Sequence, residues 1–204
     1  TTATQWHTTL RLPVHIDEAG RSTAYTYDSA GNLLTETVTD TATGEARTRR
    51  WSYNPQGLAA SLTDARGGVW TYAYDAQGNR ISERNPLGQE TRREFDAAAR
   101  VTKETAPNGL VTTYAYDTRG RLLSLSTGGE VSTYAYTPSG QIAGATLPGG
   151  RAIAYQYDAA QRLIGTSDNG GNRIAYTLDA MGNRTVEEVR DAGDNLALSS
   201  ARVI

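Results

Sequence analysis

A short formula, Tyr, any residue, Tyr, Asp, two residues and Gly, recurs along this chain. It is written at residues 25–31 as YTYDSAG, at 72–78 as YAYDAQG and at 114–120 as YAYDTRG. Its second aromatic slot is filled in turn by Tyr27, Tyr53, Tyr74, Phe95, Tyr116, Tyr136, Tyr157 and Leu178. The intervals between these positions are 26, 21, 21, 21, 20, 21 and 21 residues. A period of this length is typical of a repeat architecture, and it restricts the fold more than any other feature.

Each repeat predicts a β-hairpin. Tyr-x-Tyr places both rings on one face of a strand, because side chains alternate along it. Asp favours the first position of a type I turn, and Gly tolerates the positive φ that ends the turn. We assign this structural role to Tyr25, Tyr27, Asp28, Gly31, Tyr72, Tyr74, Asp75, Gly78, Tyr114, Tyr116, Asp117, Gly120, Tyr155, Tyr157 and Asp158. Ala99 and Gln161 replace the turn glycine in two repeats, so we expect strain or a different loop there.

A second apolar stretch and a second turn complete each unit, so eight units predict an antiparallel meander of about sixteen strands. The fold class is therefore all-β, with β-hairpins of period about 21 residues curled into a strip or partial shell, since long open sheets twist. Residues 1–204 form one repeat region of about eight repeats, with a degenerate unit around Trp6. The single long interval predicts an extended loop at residues 39–46.

Composition excludes several classes of protein. Only 38% of the residues are hydrophobic and Phe occurs once, so a thick globular core is not expected. A net charge of −2 with mixed Arg, Asp and Glu offers no basic stripe for nucleic acid. The chain has no cysteine for disulfides, no apolar run of the length that a membrane span needs, and no signal peptide pattern in residues 1–16.

No catalytic or metal-binding pattern stands out. His7 and His15 are the only histidines, and as metal ligands they would need carboxylate partners, so ordinary surface or strand roles are favoured. No G-x-S-x-G elbow is present. A row of aspartates could bind calcium, but each has a role in a turn. We therefore expect no enzyme activity, no cofactor and no metal.

The repeats YTYDSAGNLL, YAYDAQGNRI and YAYDTRGRLL, with the degenerate YTLDAMGNRT, resemble the YD repeat of bacterial Rhs proteins. The same pattern occurs in the C components of insecticidal toxin complexes and in teneurins. Residues 5–28, QWHTTLRLPVHIDEAGRSTAYTYD, look especially similar to the core of a bacterial Rhs polypeptide.

This resemblance implies a structural segment of a hollow shell of wound hairpins that encloses a C-terminal toxin domain. Its partners would be the flanking segments of its own polypeptide, that toxin and, through an N-terminal region, the spike proteins of type VI secretion. The protein would be a secreted effector in bacterial competition, held in the bacterial cytoplasm before export. The Asp-Pro pair of the family's self-cleavage motif is absent from these residues. Ile204 follows Leu178 by 26 residues, so the chain is expected to lead into another unit as part of a larger polypeptide.

Two alternatives remain open. The repeats could form an extracellular module that binds carbohydrate or a cell surface, which predicts exposed aromatic rings in a groove. The tyrosines could pack against their neighbours or line the shell lumen and contact an unfolded toxin. Free sheet edges also predict edge-to-edge self-association.

Overall fold

The computed structural model describes residues 2–201, which form β-strands joined by short turns, with one 3-10 turn at Pro148–Gly150. The chain divides into two units, one ending at Gly109 and the other beginning at Leu110. The first unit contains ten strands: β1 Ala3–Trp6, β2 Pro13–Glu18, β3 Arg21–Tyr27, β4 Leu33–Asp40, β5 Ala46–Tyr53, β6 Ala59–Thr63, β7 Val69–Tyr74, β8 Arg80–Arg84, β9 Glu90–Phe95 and β10 Val101–Thr105.

The second unit continues the same pattern with nine strands. These are β11 Val111–Tyr116, β12 Leu122–Thr127, β13 Glu130–Tyr136, β14 Ile142–Thr146, β15 Ala152–Tyr157, β16 Leu163–Asp168, β17 Arg173–Leu178, β18 Arg184–Arg190 and β19 Leu196–Ala201. Within each unit every strand pairs antiparallel with the next strand along the chain. The predicted all-β meander of hairpins is therefore confirmed.

The eight predicted hairpins account for strands β3 to β18 of the described range. Each aromatic pair lies at the end of an odd-numbered strand, and the following even-numbered strand carries the second apolar stretch. The degenerate unit around Trp6 forms the hairpin β1–β2, in which Trp6 pairs with Pro13. Strand β19 follows the last repeat, whereas Ile204 lies outside the described residues.

The prediction of a long loop at residues 39–46 is wrong. Thr39 and Ala46 are paired strand residues, and the loop between them is residues 41–45, as short as the loop at 64–68. The extra length lies in β4 and β5, which have 8 residues each where β6 has 5 and β7 has 6. Ladder hydrogen bonds satisfy the backbone polar groups of the inserted residues, which makes extended strands the favoured outcome.

The described residues include no buried hydrophobic side chain, which agrees with the expectation that a thick core is absent. Strands β7 and β11 alternate exposed and half-buried residues, with the aromatic side chains on the half-buried face. We call this the aromatic face. Since a single sheet layer buries each side chain only partly, stability must come from many half-buried contacts between neighbouring strands.

Candidate functional site

The aromatic face is the most regular chemical feature of the structure. All twelve tyrosines, which lie within residues 2–201, are half-buried, as are Trp51, Trp70 and Phe95. Trp70 shares a strand face with Tyr72 and Tyr74. The opposite face of these strands is exposed and carries isolated valines: Val69 is 41% exposed and Val131 is 47% exposed. Single apolar side chains therefore interrupt the exposed face of these strands.

The second tyrosine of a repeat binds the preceding strand through its hydroxyl group. Within residues 2–201, at least five such hydroxyls donate to the carbonyl oxygen of the first residue of the strand before their own. The pairs are Tyr27 with Pro13 at 2.8 Å, Tyr53 with Leu33 at 2.9 Å, Tyr74 with Ala59 at 2.9 Å, Tyr136 with Leu122 at 2.8 Å and Tyr157 with Ile142 at 2.9 Å. The hydroxyl therefore joins one repeat to the repeat before it.

A β-bulge accompanies this contact. Thr26 pairs with Thr35 but Tyr27 pairs with Leu33, so Leu34 is an extra residue in the ladder. The same register shift precedes Tyr53, Tyr74, Tyr116, Tyr136, Tyr157 and Leu178. Bulges bend the strand and increase its twist. Each repeat thus contributes a bend at the position where a tyrosine of the next repeat attaches.

The Asp of each repeat organises the turn through its carboxylate. Asp28 Oδ1 accepts hydrogen bonds from the backbone N–H groups of Ala30 and Asn32, both at 2.9 Å. Asp75 makes the same two contacts with Gln77 at 3.0 Å and Asn79 at 2.8 Å. The backbone N–H of the turn glycine donates to the Asp carbonyl, as Gly78 does to Asp75 at 3.1 Å. The predicted turn chemistry is therefore present at these repeats.

A further residue of the turn lies four positions after the Asp. The Asn79 amide donates to Asp75 Oδ2 at 2.8 Å, and the Arg121 Nε donates to Asp117 Oδ2 at 2.6 Å. The Asn79 amide is the leading cause that lowers the pKa of Asp75, whereas for Asp117 the leading cause is the backbone N–H of Arg121. Sequence analysis missed this partner. The signal was available, because this position is Asn or Arg in most repeats.

The two turns without glycine adopt the same left-handed conformation. Ala99 has a φ of 60° and Gln161 a φ of 64°. Of the two expected outcomes, strain or a different loop, the structure shows the strained backbone. The backbone N–H of Ala99 still donates to the carbonyl of Asp96 at 3.0 Å. The hydrogen bonds of the turn therefore hold a conformation that costs a non-glycine residue about 1–2 kcal/mol.

The second turn of several units uses the same device. Asp64 Oδ1 accepts from the N–H groups of Arg66 and Gly68, both at 2.8 Å, and Asn85 Oδ1 accepts from Leu87 and Gln89, both at 3.0 Å. The second turn predicted for each unit is therefore present here, and the pattern Asp or Asn, two residues, Gly is common to both of its examples.

Arginines cover three tyrosine rings of the aromatic face. The guanidinium carbon of Arg80 lies 5.4 Å from the Tyr72 ring centre, that of Arg121 lies 4.5 Å from Tyr136, and that of Arg184 lies 3.8 Å from Tyr176. Cation–π attraction of this kind adds about 0.5–1 kcal/mol at exposed sites. These arginines shield rings that would otherwise contact water.

The histidines lie near hydroxyl and carboxylate groups without forming a catalytic relay. His15 Nε2 is 3.0 Å from both Ser22 Oγ and Asp17 Oδ1. A relay needs the serine and the carboxylate on opposite ring nitrogens, so one nitrogen facing both cannot carry a proton from one to the other. His7 Nδ1 accepts from the backbone N–H groups of Thr9 and Leu10, both at 3.2 Å, which is a turn contact.

Residues 2–201 contain no group of three or more His, Asp or Glu side chains placed to hold a metal ion. Among these residues no helix has the length and apolar character to cross a membrane. The repeated tyrosine, bulge and turn contacts hold neighbouring strands together and position bends in the sheet, which is a structural role.

The family model described as teneurin YD-shell matches residues 18–186. A curated relative, the double-stranded DNA deaminase toxin A of Burkholderia cenocepacia strain H111, is 31% identical over 144 residues. That match covers 71% of this chain and 10% of the relative, so the chain spans about a tenth of that protein's length.

Two solved structures are similar in fold. A crystal structure of TcdB2-TccC3-Cdc42 has a TM-score of 0.72 at 17% identity, over 98% of this chain and 13% of that one. A structure of the Photorhabdus luminescens Tc holotoxin pore with a TccC3 variant has a TM-score of 0.70 at 18% identity, over 98% and 13% of the two chains. At these identities the similarity establishes the fold.

Proposed function

The chain belongs to the teneurin YD-shell family, and from this premise we propose that it is a wall segment of a shell that encloses a toxin domain of the same polypeptide. In this role residues 2–201 are structural and perform no catalysis. The toxin chemistry then resides in a part of the polypeptide outside this chain. The similarity to a deaminase toxin supports the association with a toxin. Because the match covers only 10% of that relative, it supports no transfer of the deaminase activity to this chain.

The observation that carries this proposal is the hydroxyl contact repeated between successive hairpins. A binding or catalytic site needs one constellation of groups, whereas here one contact recurs at five repeats of the described chain. Each contact lies beside a bulge that bends the strand. Regularly spaced bends and regularly spaced links are what a curved wall of hairpins requires.

The carbohydrate-binding alternative predicts exposed aromatic rings in a groove. In the described part of the chain, the tyrosines are half-buried, and five of their hydroxyls are already engaged with backbone carbonyls. Stacking of sugar rings needs free aromatic faces. The observed burial therefore favours the wall over the binding module.

Delivery is a further part of the proposal. A shell of this kind would leave the producing bacterium as a secreted effector, through a secretion spike bound by a region N-terminal to these repeats. Competitor cells would be its targets. The resemblance of the repeats to Rhs proteins supports this route.

Limited proteolysis of the full-length native polypeptide, read by mass spectrometry, tests the proposal. We expect a C-terminal fragment that resists protease while the shell is folded and becomes digestible once urea opens it. Protease added to the separately expressed C-terminal fragment is the control, and we expect rapid digestion there. A C-terminal fragment degraded at once in the native polypeptide would exclude enclosure.

A further inference from the structure

In two repeats of the second unit, an arginine four positions after the Asp reaches the turn of the next repeat. Arg121 Nη1 donates to the Thr137 carbonyl at 3.4 Å, and Arg162 Nη1 donates to the Asp179 carbonyl at 3.2 Å. Thr137 and Asp179 each occupy the Asp position of the following repeat. The guanidinium group therefore lies between two successive turns, a place that we call the seam.

Three groups hold the guanidinium of Arg121 at its seam. The Asp117 carboxylate accepts from Nε at 2.6 Å, the Thr137 carbonyl accepts from Nη1, and the Tyr136 ring centre lies 4.5 Å from the guanidinium carbon. A carboxylate, a carbonyl oxygen and an aromatic face are each suited to a planar cation. Together they form a binding site for a guanidinium group, which the chain fills with its own side chain.

The first repeat offers the same three groups. Its Asp is Asp28, and the next repeat supplies the ring of Tyr53 and the carbonyl of Asn54. The two seams are built alike, because each tyrosine hydroxyl donates to the carbonyl five residues after the Asp, Tyr53 at 2.9 Å and Tyr136 at 2.8 Å. The residues inserted in this repeat lengthen β4 and β5 and leave that contact in place.

Asn32 occupies the arginine position of the first repeat and does not cross the seam. Its amide donates to Asp28 Oδ2 at 2.8 Å, which is the only hydrogen bond of its side chain within residues 2–201. A Cβ built on Gly140 would lie 3.9 Å from Arg121 Nη1. At the equivalent Gly57, no atom of a non-adjacent residue in the described chain comes within 4 Å. The place of the guanidinium is therefore open in the first repeat.

A cleft of about 550 Å³ lies at this seam, and the only charged side chain in its lining is that of Asp28. The amide of Asn32 leads the contacts that lower the pKa of Asp28, so the carboxylate is charged at neutral pH. It accepts three hydrogen bonds within its turn, which leaves one of its four acceptor positions. The Asn54 carbonyl accepts the N–H of Gly57 at 2.9 Å and has a second lone pair. The cleft is thus negative and retains acceptors for a cation.

We propose that this cleft binds an arginine side chain of a partner polypeptide. The guanidinium donates to the Asp28 carboxylate and to the Asn54 carbonyl, and it lies against the Tyr53 ring. Arg121 shows this mode of binding at the equivalent seam of the second unit. The binding is a property of this chain and does not depend on whether a shell encloses a toxin.

The lining of the cleft selects arginine among cations. Trp51 and Leu34 add apolar surface beside the acceptors, which suits the methylene stem of an arginine and gives no advantage to an inorganic cation. A lysine brings a compact point charge without the planar fork that can meet two acceptors and a ring together. A polypeptide that carries an exposed arginine is therefore the partner that this cleft fits.

An NMR titration of the isotope-labelled 204-residue chain with the peptide acetyl-Gly-Arg-Gly-amide tests the proposal. We expect saturable shifts of the backbone amides of residues 54–58 and of the Trp51 indole N–H, since these groups line or flank the cleft. The same peptide with citrulline, a neutral analogue of arginine, should bind about tenfold more weakly, because charge-assisted hydrogen bonds are lost.

Asn32→Arg supplies the cleft with a guanidinium of the chain itself, as Arg121 does in its own repeat. We expect this variant to bind the peptide at least about tenfold more weakly than the parent chain. Asn183→Arg is the matched control, because Asn183 donates to Asp179 Oδ2 at 2.8 Å and holds the same position in another repeat. Its affinity at the cleft should stay within about twofold of the parent value. Asp28→Asn removes the charge and keeps an oxygen for the turn, so it should also weaken binding about tenfold.

Three outcomes would overturn the assignment. Unchanged affinity in Asn32→Arg would show that the peptide does not occupy the place of the guanidinium. Binding of the citrulline peptide as tightly as the arginine peptide would remove the role of the charge. Tighter binding of free arginine than of the peptide would identify a small molecule as the ligand in place of a polypeptide. Circular dichroism of each variant checks the fold, and Asp28→Asn keeps the test decisive if Asn32→Arg misfolds.

Discussion

At the residue scale, the second tyrosine of a repeat combines ring packing with a directed hydrogen bond. Burial raises the pKa of Tyr27 and Tyr53, whose hydroxyls also donate to Pro13 and Leu33. The ring supplies apolar contact within the face, and the hydroxyl selects which carbonyl it meets. A phenylalanine could supply only the first of these, as Phe95 does in its own repeat.

Tyr74→Phe isolates the hydroxyl contribution, because it removes only the hydrogen bond to Ala59. We expect the free energy of unfolding to fall by about 1 kcal/mol, the usual net value of such a bond. Tyr72→Phe is the control, since no hydrogen bond of the Tyr72 hydroxyl is found in the described chain. Urea denaturation of both variants measures the difference. Equal effects would mean that the hydroxyl bond adds nothing to stability.

Glu90 links stability to pH at a single residue. Hydrogen bonds from Arg92 at 3.0 Å and Ser82 at 2.6 Å lower the pKa of Glu90 from 4.5 to about 2. Because the folded pKa is the lower one, the stabilisation is present above pH 4.5 and is lost as the pH falls towards 2.

We therefore expect Glu90→Gln to make the free energy of unfolding fall less steeply with acidification between pH 4.5 and 2 than in the parent chain. Glu130→Gln, at an exposed strand end, should keep the parent slope. Thermal melts at a series of pH values provide the comparison. A Glu90→Gln profile parallel to the parent profile would contradict the assignment.

At the element scale, the most specific contacts of each hairpin lie in its five-residue turn. The carboxylate of Asp75, the N–H groups of Gln77 and Asn79 and the positive φ of Gly78 act together within one turn. Most of these groups were identified from the sequence, because turn chemistry is local. The partner four residues after the Asp was missed, although its bond closes the turn.

Ala99→Gly tests the strain that the turn imposes. Ala99 has a φ of 60°, and Gly adopts this conformation without a Cβ clash, so we expect stabilisation by about 1 kcal/mol. Ala98→Gly is the matched control in the same turn and should be neutral or destabilising, because glycine there only adds freedom to the unfolded chain. Chemical denaturation measures both. A loss of stability in Ala99→Gly would show that the turn does not strain its residue.

At the scale of the whole molecule, the chain presents strand edges as well as faces. Strand β19 pairs with β18, and all of its six residues are exposed. Leu198 on this strand is 54% exposed. Within residues 2–201 no second strand pairs with β19, and such an edge favours pairing with another chain, which is the basis of the predicted self-association.

Sedimentation velocity over a range of concentrations measures that association. We expect the average sedimentation coefficient to rise with concentration for the parent chain and to rise less for Leu198→Lys, since an edge lysine blocks pairing. Leu87→Lys is the control, because Leu87 is 83% exposed but lies in a turn. A monomer at every concentration would exclude association through the edge.

The sequence by itself determined the period, the all-β class, the strands that carry Tyr25 and Tyr27, and the turns of Asp28 and Gly31. These follow from side-chain alternation and turn propensity, which act over a few residues. Only the tertiary structure decided that Tyr53 meets the carbonyl of Leu33, 20 residues earlier, and that the 26-residue interval lengthens two strands. It also decided that Asp28 and Tyr53 line one cleft. Such contacts depend on which strand lies alongside and in which register, and the ladder between neighbouring strands sets both.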